Sequence, residues 1–209
     1  MGKMTNGIMG PFNGKVGTVV GATWKGIPYM RARPRKRTGP ISKKEKANRD
    51  KFSVAQYWLK PLLEFVRVGF KDYSPTVVGF GAAKSWMMKN AMEKTEDGFL
   101  VDPSHMLVSY GELPLPANIR LGDIEAGKLP LYWDVVEKDH GHMYDQCMLL
   151  AYDIDNGRTV MKLTGQFKHV GSDTIDIDRK GKTYHIYAAF IAADRSAVSN
   201  SVYLGEVKT

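Results

Sequence analysis

From residue 99 onward, short apolar or alternating runs follow one another, and this pattern predicts β-strands. Asn156-Gly157 and Lys180-Gly181 lie between runs and are typical of hairpin turns. The seven runs are MLVSYG (106–111), LPLYWDVVE (129–137), QCMLLAYDI (146–154), RTVMKL (158–163), TIDID (174–178), KTYHIYAAFIAA (182–193) and SVYLGEV (201–207). Several short strands at this spacing predict an all-β sandwich.

A helical periodicity occupies the residues before these strands. Ser42 and Glu45 form a capping box, which predicts that a helix starts there. Apolar residues then recur at 3-4-3-4 spacing and predict one buried face. That face comprises Phe52, Ala55, Leu59, Leu62 and Val66, with Trp58 and Leu63 beside it. Pro61 predicts a kink or the first turn of a second helix, because proline has no backbone N–H to donate.

A further helix is predicted over residues 77–94, VVGFGAAKSWMMKNAMEK, and Glu96-Asp97-Gly98 is expected to end it. Small and large apolar residues alternate on one side of this helix. The predicted buried stripe is Ala82, Ala83, Trp86, Met87 and Ala91. The GFG at 79–81 lacks the GxGxxG spacing and is followed by no GK[ST], so it does not predict a nucleotide loop.

The first 33 residues predict a β-hairpin after a flexible lead-in. Residues 1–13 are rich in Gly, Asn and Pro and are expected to be flexible. The alternation over residues 15–20 predicts a half-buried strand, and Trp24-Lys25-Gly26 predicts a turn. Residues 27–33 return as a second strand, in which Pro28 suits a sheet edge. Because a lone hairpin is marginal in water, we expect it to pack on the protein body or on a neighbouring subunit.

Positive charge is concentrated at the beginning of the chain. Residues 1–50 contain 12 Lys and Arg against two acidic residues, whereas residues 51–209 contain 18 against 20. The densest part is a basic arm at residues 31–49. Its candidate anion-binding residues are Arg31, Arg33, Arg35, Lys36, Arg37, Lys43 and Lys44. Such a localised cationic segment is typical of a partner rich in phosphate or carboxylate groups, and the alternative is a solvated tail.

The composition limits the number of domains, the redox compartment and the membrane association that can be expected. The 209 residues are 43% hydrophobic, which suffices for one large domain or two small ones. Cys147 is the single cysteine, so an internal disulfide is impossible and a reducing compartment or indifference to redox follows. The N-terminal residues do not resemble a signal peptide, and no run has the length of a membrane span. We therefore expect a cytoplasmic protein with no membrane partner.

Candidate catalytic and metal-binding groups are few. The loop DHGH (139–142), with Asp145 and Cys147 nearby, contains residue types that bind zinc, although a polar loop between strands explains them more simply. The three carboxylates of Asp173, Asp176 and Asp178 are of the kind that can bind Ca²⁺. A simpler explanation is that they form the solvent-exposed face of a strand. Cys147 lies in an apolar run, which indicates an inert core thiol. We expect no cofactor, no metal and no enzymatic activity, with a triad assembled across the fold as the open alternative.

Three resemblances accompany these patterns. The Trp133 strand, the strand Tyr184-His185-Ile186-Tyr187-Ala188 and the strand Ser199-Asn200-Ser201-Val202-Tyr203 resemble those of a fibronectin type III or other immunoglobulin-like domain over residues 105–207. The whole chain resembles an uncharacterised family of bacterial proteins. That likeness lies in Gly14-Lys15-Val16-Gly17, Trp24-Lys25-Gly26, Arg49-Asp50-Lys51-Phe52 and the stretch Ser199 to Gly205, and it implies an architecture without catalytic residues. The front half is also similar to phage virion proteins, which implies a structural, virion-associated subunit whose arm reaches a neighbour.

Together these patterns predict an α+β protein. A hairpin, a basic arm and two helices (1–98) would pack on an immunoglobulin-like sandwich (99–209). The leading hypothesis is a non-enzymatic, self-associating structural protein, whose arm pairs with acidic groups. The predicted contact residues are Val16, Val20, Trp24 and Tyr29. The alternative is non-specific nucleic-acid binding by the arm through phosphate contacts, because the sequence contains no base-reading module.

Overall fold

A computed structural model describes residues 2–4, 7, 10–36, 38–74, 76–77, 79–96, 98–135, 141–177 and 181–209. The chain divides into two compact units, residues 1–42 and residues 43–209. The boundary that the sequence placed after residue 98 lies inside the second unit.

The first unit is a four-stranded antiparallel meander. Its strands, in the sheet order β1-β2-β3-β4, are β1 (Lys3–Met4), β2 (Phe12–Val16), β3 (Val19–Trp24) and β4 (Ile27–Ala32). Lys25 and Gly26, with φ of +48° and +81°, form the turn that was predicted between β3 and β4. The single strand predicted over residues 15–20 is wrong, because a turn at Gly17 (φ +55°) and Thr18 separates β2 from β3. The segment expected to be a flexible lead-in contributes β1 and the start of β2.

Three helices form one layer of the second unit. They are α1 (Lys43–Leu59), α2 (Leu63–Gly69) and α3 (Gly79–Asn90). A 3₁₀ turn at Lys60–Leu62 separates α1 from α2, at the position where Pro61 predicted a break. The helix predicted over residues 77–94 ends early, because β5 (Met92–Thr95) follows it and pairs with β6 (Gly98–Val101). Glu96 lies in the turn between these strands, and Asp97 lies outside the described residues.

Two further sheets complete the second unit. One has the order β10-β9-β12-β13 and the other the order β11-β8-β7. Their strands are β7 (Arg120–Leu121), β8 (Lys128–Tyr132), β9 (Gln146–Asp153), β10 (Arg158–Lys162), β11 (Ser172–Asp176), β12 (Thr183–Ile191) and β13 (Val202–Lys208). Six of the seven predicted runs thus contain a strand. The strand predicted over 106–111 is wrong, because the Val108 N–H is bonded to the Ser201 hydroxyl and the Tyr110 N–H to the Gly69 carbonyl.

The four-stranded sheet β10-β9-β12-β13 is the central sheet of the second unit, and it is covered on both faces. Alternate residues of β9 and β12 pack with the helices, and the residues between them pack with β8 and β11. Met148, Leu150, Tyr152, Tyr187 and Ala189 face the helical cluster; Cys147, Leu149, Ala151, Ile186 and Phe190 face the second cluster. Every residue of β9 from Cys147 to Asp153 is buried. The fold is therefore mixed α and β and mostly sheet, with helices on one face of its main sheet and a second sheet on the other.

Aromatic side chains anchor the two apolar clusters. The Tyr152 hydroxyl donates to the Trp58 carbonyl at 3.0 Å, and the two rings meet edge to face. Trp133 is buried, packs on Phe190 with ring centroids 5.3 Å apart and donates its indole N–H to the Lys168 carbonyl. These polar tips are satisfied inside the core, so each aromatic residue fixes an element in position as well as filling space.

Several predicted core positions are buried, and Phe52 is the most exposed of those that are not. Ala55, Leu59, Leu62 and Val66 are fully buried, whereas Leu63 and Trp86 are partly buried. Phe52 was predicted to share the buried face of α1 but is half exposed. Its ring instead contacts the Lys84 ammonium, 4.0 Å from the ring centroid, and Lys84 also donates to Gln56. The ring of Phe52 therefore covers a cation rather than the core.

Candidate interaction surface

The first unit has almost no interior. Gly21 is the only buried residue among those described in it, and all six residues of β4 are exposed. A Cβ at Gly21 would lie 2.1 Å from the Phe12 carbonyl oxygen and 2.7 Å from the Phe12 ring, so Phe12 packs directly on the strand backbone. Trp24, Ile27 and Met30 are exposed by 51%, 65% and 68%. Large apolar side chains on a sheet without a core make this unit the candidate interaction surface of the chain.

The register of β3 and β4 assigns most of these side chains to one face. Val20 lies opposite Arg31, Ala22 opposite Tyr29 and Trp24 opposite Ile27. Directly opposed residues of antiparallel strands share a face, and so do residues two apart on one strand. We call this set of six residues, Val20, Ala22, Trp24, Ile27, Tyr29 and Arg31, the Trp24 face. Three of the four predicted contact residues, Val20, Trp24 and Tyr29, therefore lie together.

Val16 lies elsewhere. It is opposite Val19, which alternates with Val20 along β3 and so belongs to the other face of the sheet. Met30, which the sequence analysis did not select, also lies on that other face, opposite Gly21. Ile27 was missed as well, although its alternation with Tyr29 and Arg31 could have shown its place on the Trp24 face. The meander thus exposes apolar groups on both sides.

The outer edge of β4 is open within the part of the chain that the structure describes. β4 is the last strand of its sheet, and the Arg33 N–H donates to the Thr18 carbonyl at 2.8 Å. Backbone groups alternate in direction along a strand, so those of Met30 and Ala32 point outward. Pro28 also points outward, where its missing N–H interrupts no bond to β3. Met30 offers this edge both an N–H donor and a carbonyl acceptor.

The described cations at residues 31–36 of the arm are exposed, whereas Arg49 at its end forms an ion pair with Glu45. Arg31, Arg33, Arg35 and Lys36 make no ion pair with any described residue, and Arg37 lies outside the described residues. Residues 1–42 contain eight Lys and Arg and no Asp or Glu, whereas residues 43–209 contain 22 basic and 22 acidic residues. The formal net charge of +8 therefore belongs to the first unit. Lys43 and Lys44, also predicted for anion contact, are exposed in the first turn of α1, in the second unit.

The predicted zinc ligands do not converge in the described structure. The His142 Nδ1 lies 3.0 Å from the carboxylate of Asp145, while Asp139 and His140 lie outside the described residues. Cys147 is fully buried, and burial raises the pKa of its thiol well above the ordinary value, as expected for an inert core thiol. No three His, Cys, Asp or Glu side chains form a metal-binding group within the described ranges.

The predicted calcium ligands have different roles. Asp173 is buried, its carboxylate accepts an ion-paired hydrogen bond from Lys162 at 2.5 Å, and it accepts the Gln166 N–H at 2.9 Å. Asp176 is exposed on the same strand, and Asp178 lies outside the described residues. Asp173 therefore holds the loop between β10 and β11 in place, and its carboxylate is already occupied by donors.

One Asp, Ser and His cluster was missed by the sequence analysis. Asp102 accepts hydrogen bonds from the Ser104 N–H (2.8 Å), the Ser104 hydroxyl (2.7 Å) and the His105 Nδ1 (2.6 Å). These hydrogen bonds lower the pKa of Asp102 to about 2, and the side chains of Ser104 and His105 make the largest contributions. The cluster caps a 3₁₀ turn at Pro103–His105. The Ser104 hydroxyl also lies 3.3 Å from the His105 Nδ1, but both groups make their shorter bonds to the Asp102 carboxylate.

Comparison with known proteins identifies a family and no function. Residues 11–205 match the model of a family described as a family of unknown function (DUF6266), which confirms the predicted likeness to an uncharacterised family. No curated protein matches the chain. Among the helices of the described residues, none is both long and apolar enough to cross a membrane.

Proposed function

The chain belongs to this family of unknown function, and we propose that it is a non-enzymatic structural protein that associates with further copies of itself through its first unit. The observation that carries the proposal is the exposed meander, whose described residues include one buried glycine and the exposed side chains of Trp24, Ile27, Tyr29 and Met30. Segments of about 40 residues rarely fold without metals, disulfides or association. Association with a further copy would cover this apolar surface.

A second copy is the occupant we favour because the open edge of β4 is self-complementary. Two β4 strands that pair antiparallel about Met30 place Met30 opposite Met30, and Pro28 opposite Ala32 of the second copy. The outward N–H and C=O groups of Met30 then bond to each other across the two-fold axis. In this register Tyr29 lies opposite Arg31 of the second copy, so the guanidinium meets an aromatic ring rather than another cation.

Two finer interpretations belong to this proposal. A virion-like role is the finer interpretation that the sequence resemblance of the front half to phage virion proteins suggests, and in it the basic arm would reach a neighbouring subunit. An immunoglobulin-like origin of residues 105–207 is supported by two antiparallel sheets that share a core around Trp133 and Phe190. Helices on the other face of the main sheet depart from that pattern, because such sandwiches expose the outer face of each sheet.

The test uses Met30→Pro. The N–H of Met30 points away from β3, so proline removes an edge donor and leaves the β3–β4 bonds intact. We expect the wild type to scatter light as a discrete oligomer after gel filtration and Met30→Pro to elute as a monomer. Met30→Ala is the matched control, because it keeps the backbone donor and should still associate. A monomeric wild type, or an oligomer that Met30→Pro does not weaken, would refute the proposed edge pairing.

The dependence of self-association on salt concentration provides a second test. Each first unit carries eight cations and no acid, so two of them repel each other. Added salt screens that repulsion and leaves apolar burial largely unaffected. Self-association should therefore strengthen between about 50 mM and 500 mM salt.

A second candidate function is non-specific nucleic-acid binding by the basic arm, which the unpaired cations Arg31, Arg33, Arg35 and Lys36 favour. Phosphate contacts release counterions, so affinity should fall with salt by about 0.9 logarithmic units for each contact and each tenfold rise. Replacing Arg33, Arg35, Lys36 and Arg37 by Ser should reduce that slope by about 3.6 if each contacts a phosphate.

The matched control for the arm replaces four exposed cations of the second unit by Ser. These are Lys94, Lys128, Arg158 and Lys208. Binding to a duplex of mixed sequence is followed by fluorescence anisotropy at several salt concentrations. If both quadruple variants bind equally well, the arm is not the nucleic-acid contact. Light scattering of the same arm variant separates the two functions, because the β4 edge is unchanged in it.

A further inference from the structure

A pocket of about 490 Å³ opens in the second unit, where the end of α2 approaches the ends of β10 and β12. Val68, Leu163 and Ile191 give it an apolar wall, and Arg67, Lys71 and Arg195 give it a charged one. This volume lies in the range of small-molecule sites, which combine apolar walls with a few charged groups. No residue of the first unit takes part, so the site is independent of the proposed association.

The charges of this pocket are unevenly compensated. Lys71 donates to the backbone carbonyl of Arg195 and lies 3.5 Å from the carboxylate of Asp72. The nearby carboxyl of Asp194 is exposed. Hydrogen bonds from Ser196 are the main cause of its lowered pKa, and the positive charge of Lys71 makes a smaller contribution. The ammonium of Lys71 is therefore balanced by two carboxylates.

The two guanidinium groups have no such balance. Arg195 donates to the amide oxygen of Gln146, which is neutral, and Arg67 makes no hydrogen bond or ion pair with any residue that the structure describes. Arg195 is held on a defined backbone, with φ of +63° and its N–H bonded to the Ala192 carbonyl at 2.8 Å. Two guanidiniums beside an apolar wall are complementary to one anionic head group that carries an apolar body.

We propose that this pocket binds a small organic anion. A carboxylate or sulfonate head would lie at Arg67 and Arg195, and an aliphatic chain or ring would pack against Val68, Leu163 and Ile191. Guanidinium groups donate in a fork that matches the two oxygens of a carboxylate. The apolar wall then distinguishes this ligand from inorganic anions, which have nothing to bury there.

Isothermal titration calorimetry with the full-length protein tests the proposal through three probes. Sodium octanoate carries both head and tail, octan-1-ol the tail alone and sodium acetate the head alone. We expect one octanoate to bind per chain. Octanol lacks the anionic head group and acetate lacks the apolar tail, so each should bind at least about tenfold more weakly. Failure of octanoate to bind, or equal binding of octanol or acetate, would overturn the proposal.

Three variants locate the binding. Arg67→Gln should weaken octanoate binding about tenfold by removing a charge-assisted contact. The matched control is Arg158→Gln, which removes an exposed arginine of the same unit outside the pocket and should leave binding unchanged. Thr164→Trp fills the pocket from an exposed position and should abolish binding while leaving thermal unfolding unaltered. Octanoate affinity that is insensitive to both pocket variants would refute the site.

Discussion

The two units of this chain differ in what they bury and in what charge they carry. The second unit buries both faces of its central sheet and has equal numbers of acidic and basic residues. The first unit buries one glycine in its described part and carries the whole net charge. A sheet gains stability from what covers its faces, and hydrogen bonds between strands contribute little by themselves. The first unit therefore has far less buried surface to stabilise it than the second unit has.

Hydrogen exchange should show the largest difference between the units. In dilute, monomeric protein the amides of β9 and β12 should exchange at least about 10³-fold more slowly than those of β3 and β4, because the central strands open only when the core unfolds. Mass spectrometry of peptic fragments measures both regions in one sample. Equal protection in the monomer would mean that the meander is stable without a partner.

One substitution made in both units tests the contrast energetically. Ile186→Ala removes a fully buried side chain and should lower the free energy of unfolding by about 2–5 kcal/mol. Ile27→Ala removes a side chain that is 65% exposed and should change it by less than about 0.5 kcal/mol in the monomer. Urea denaturation followed by circular dichroism provides both values. A comparable loss from Ile27→Ala in the monomer would contradict its exposure.

Two aspartates of β11 offer a similar contrast inside the second unit. Asp173→Ala leaves the Gln166 N–H without its acceptor and removes the carboxylate paired with the Lys162 ammonium, which keeps only the Thr174 carbonyl. It should lower the free energy of unfolding by about 2–3 kcal/mol. Asp176→Ala, at an exposed position of the same strand, should change it by less than about 0.5 kcal/mol. Thermal unfolding of the two variants distinguishes these outcomes, and equal effects would mean that Asp173 is not a structural anchor.

The smallest expected effect concerns Asp102, whose pKa falls from its ordinary 3.8 to about 2 on folding. Its carboxylate stabilises the fold above about pH 4, and this contribution is lost as the pH falls towards 2. Asp102→Asn should therefore destabilise by at most about 1 kcal/mol at pH 7, because the site is partly exposed. The difference from the wild type, measured by urea denaturation, should vanish near pH 2. A difference that does not depend on pH would assign the effect to the cap rather than to the charge.

Much of the second unit could be predicted from its sequence. The runs that became β9 to β13 are apolar or alternating, and their turns contain residues such as Asn156-Gly157, where Gly157 has φ of +59°. The 106–111 run has the same apolar content, but its backbone donors are bonded to Gly69 and Ser201, far away in sequence. The 92–95 segment pairs with 98–101 instead of continuing the helix. Local pattern does not reveal such long-range bonds.

The candidate sites were predictable to different degrees. Alternation along β3 and β4 was enough to group Val20, Trp24 and Tyr29. Val16 lies on the other face of the sheet because the turn at Gly17 reverses the chain, so counting along one strand does not show its position. The pocket lined by Arg67 and Arg195 could not be predicted. These two residues are far apart in sequence, and they line one cavity only once the second unit has folded.

The bond between Tyr152 and the Trp58 carbonyl spans 94 residues of the chain, and it bears on how the protein is made. At a synthesis rate of about 5–20 residues per second, α1 emerges roughly 5–20 s before the strand that covers it. During that interval its apolar face has no native surface to bury. A nascent chain that stalls before β12 would present incompletely covered helices, and folding of the second unit must await the synthesis of β12.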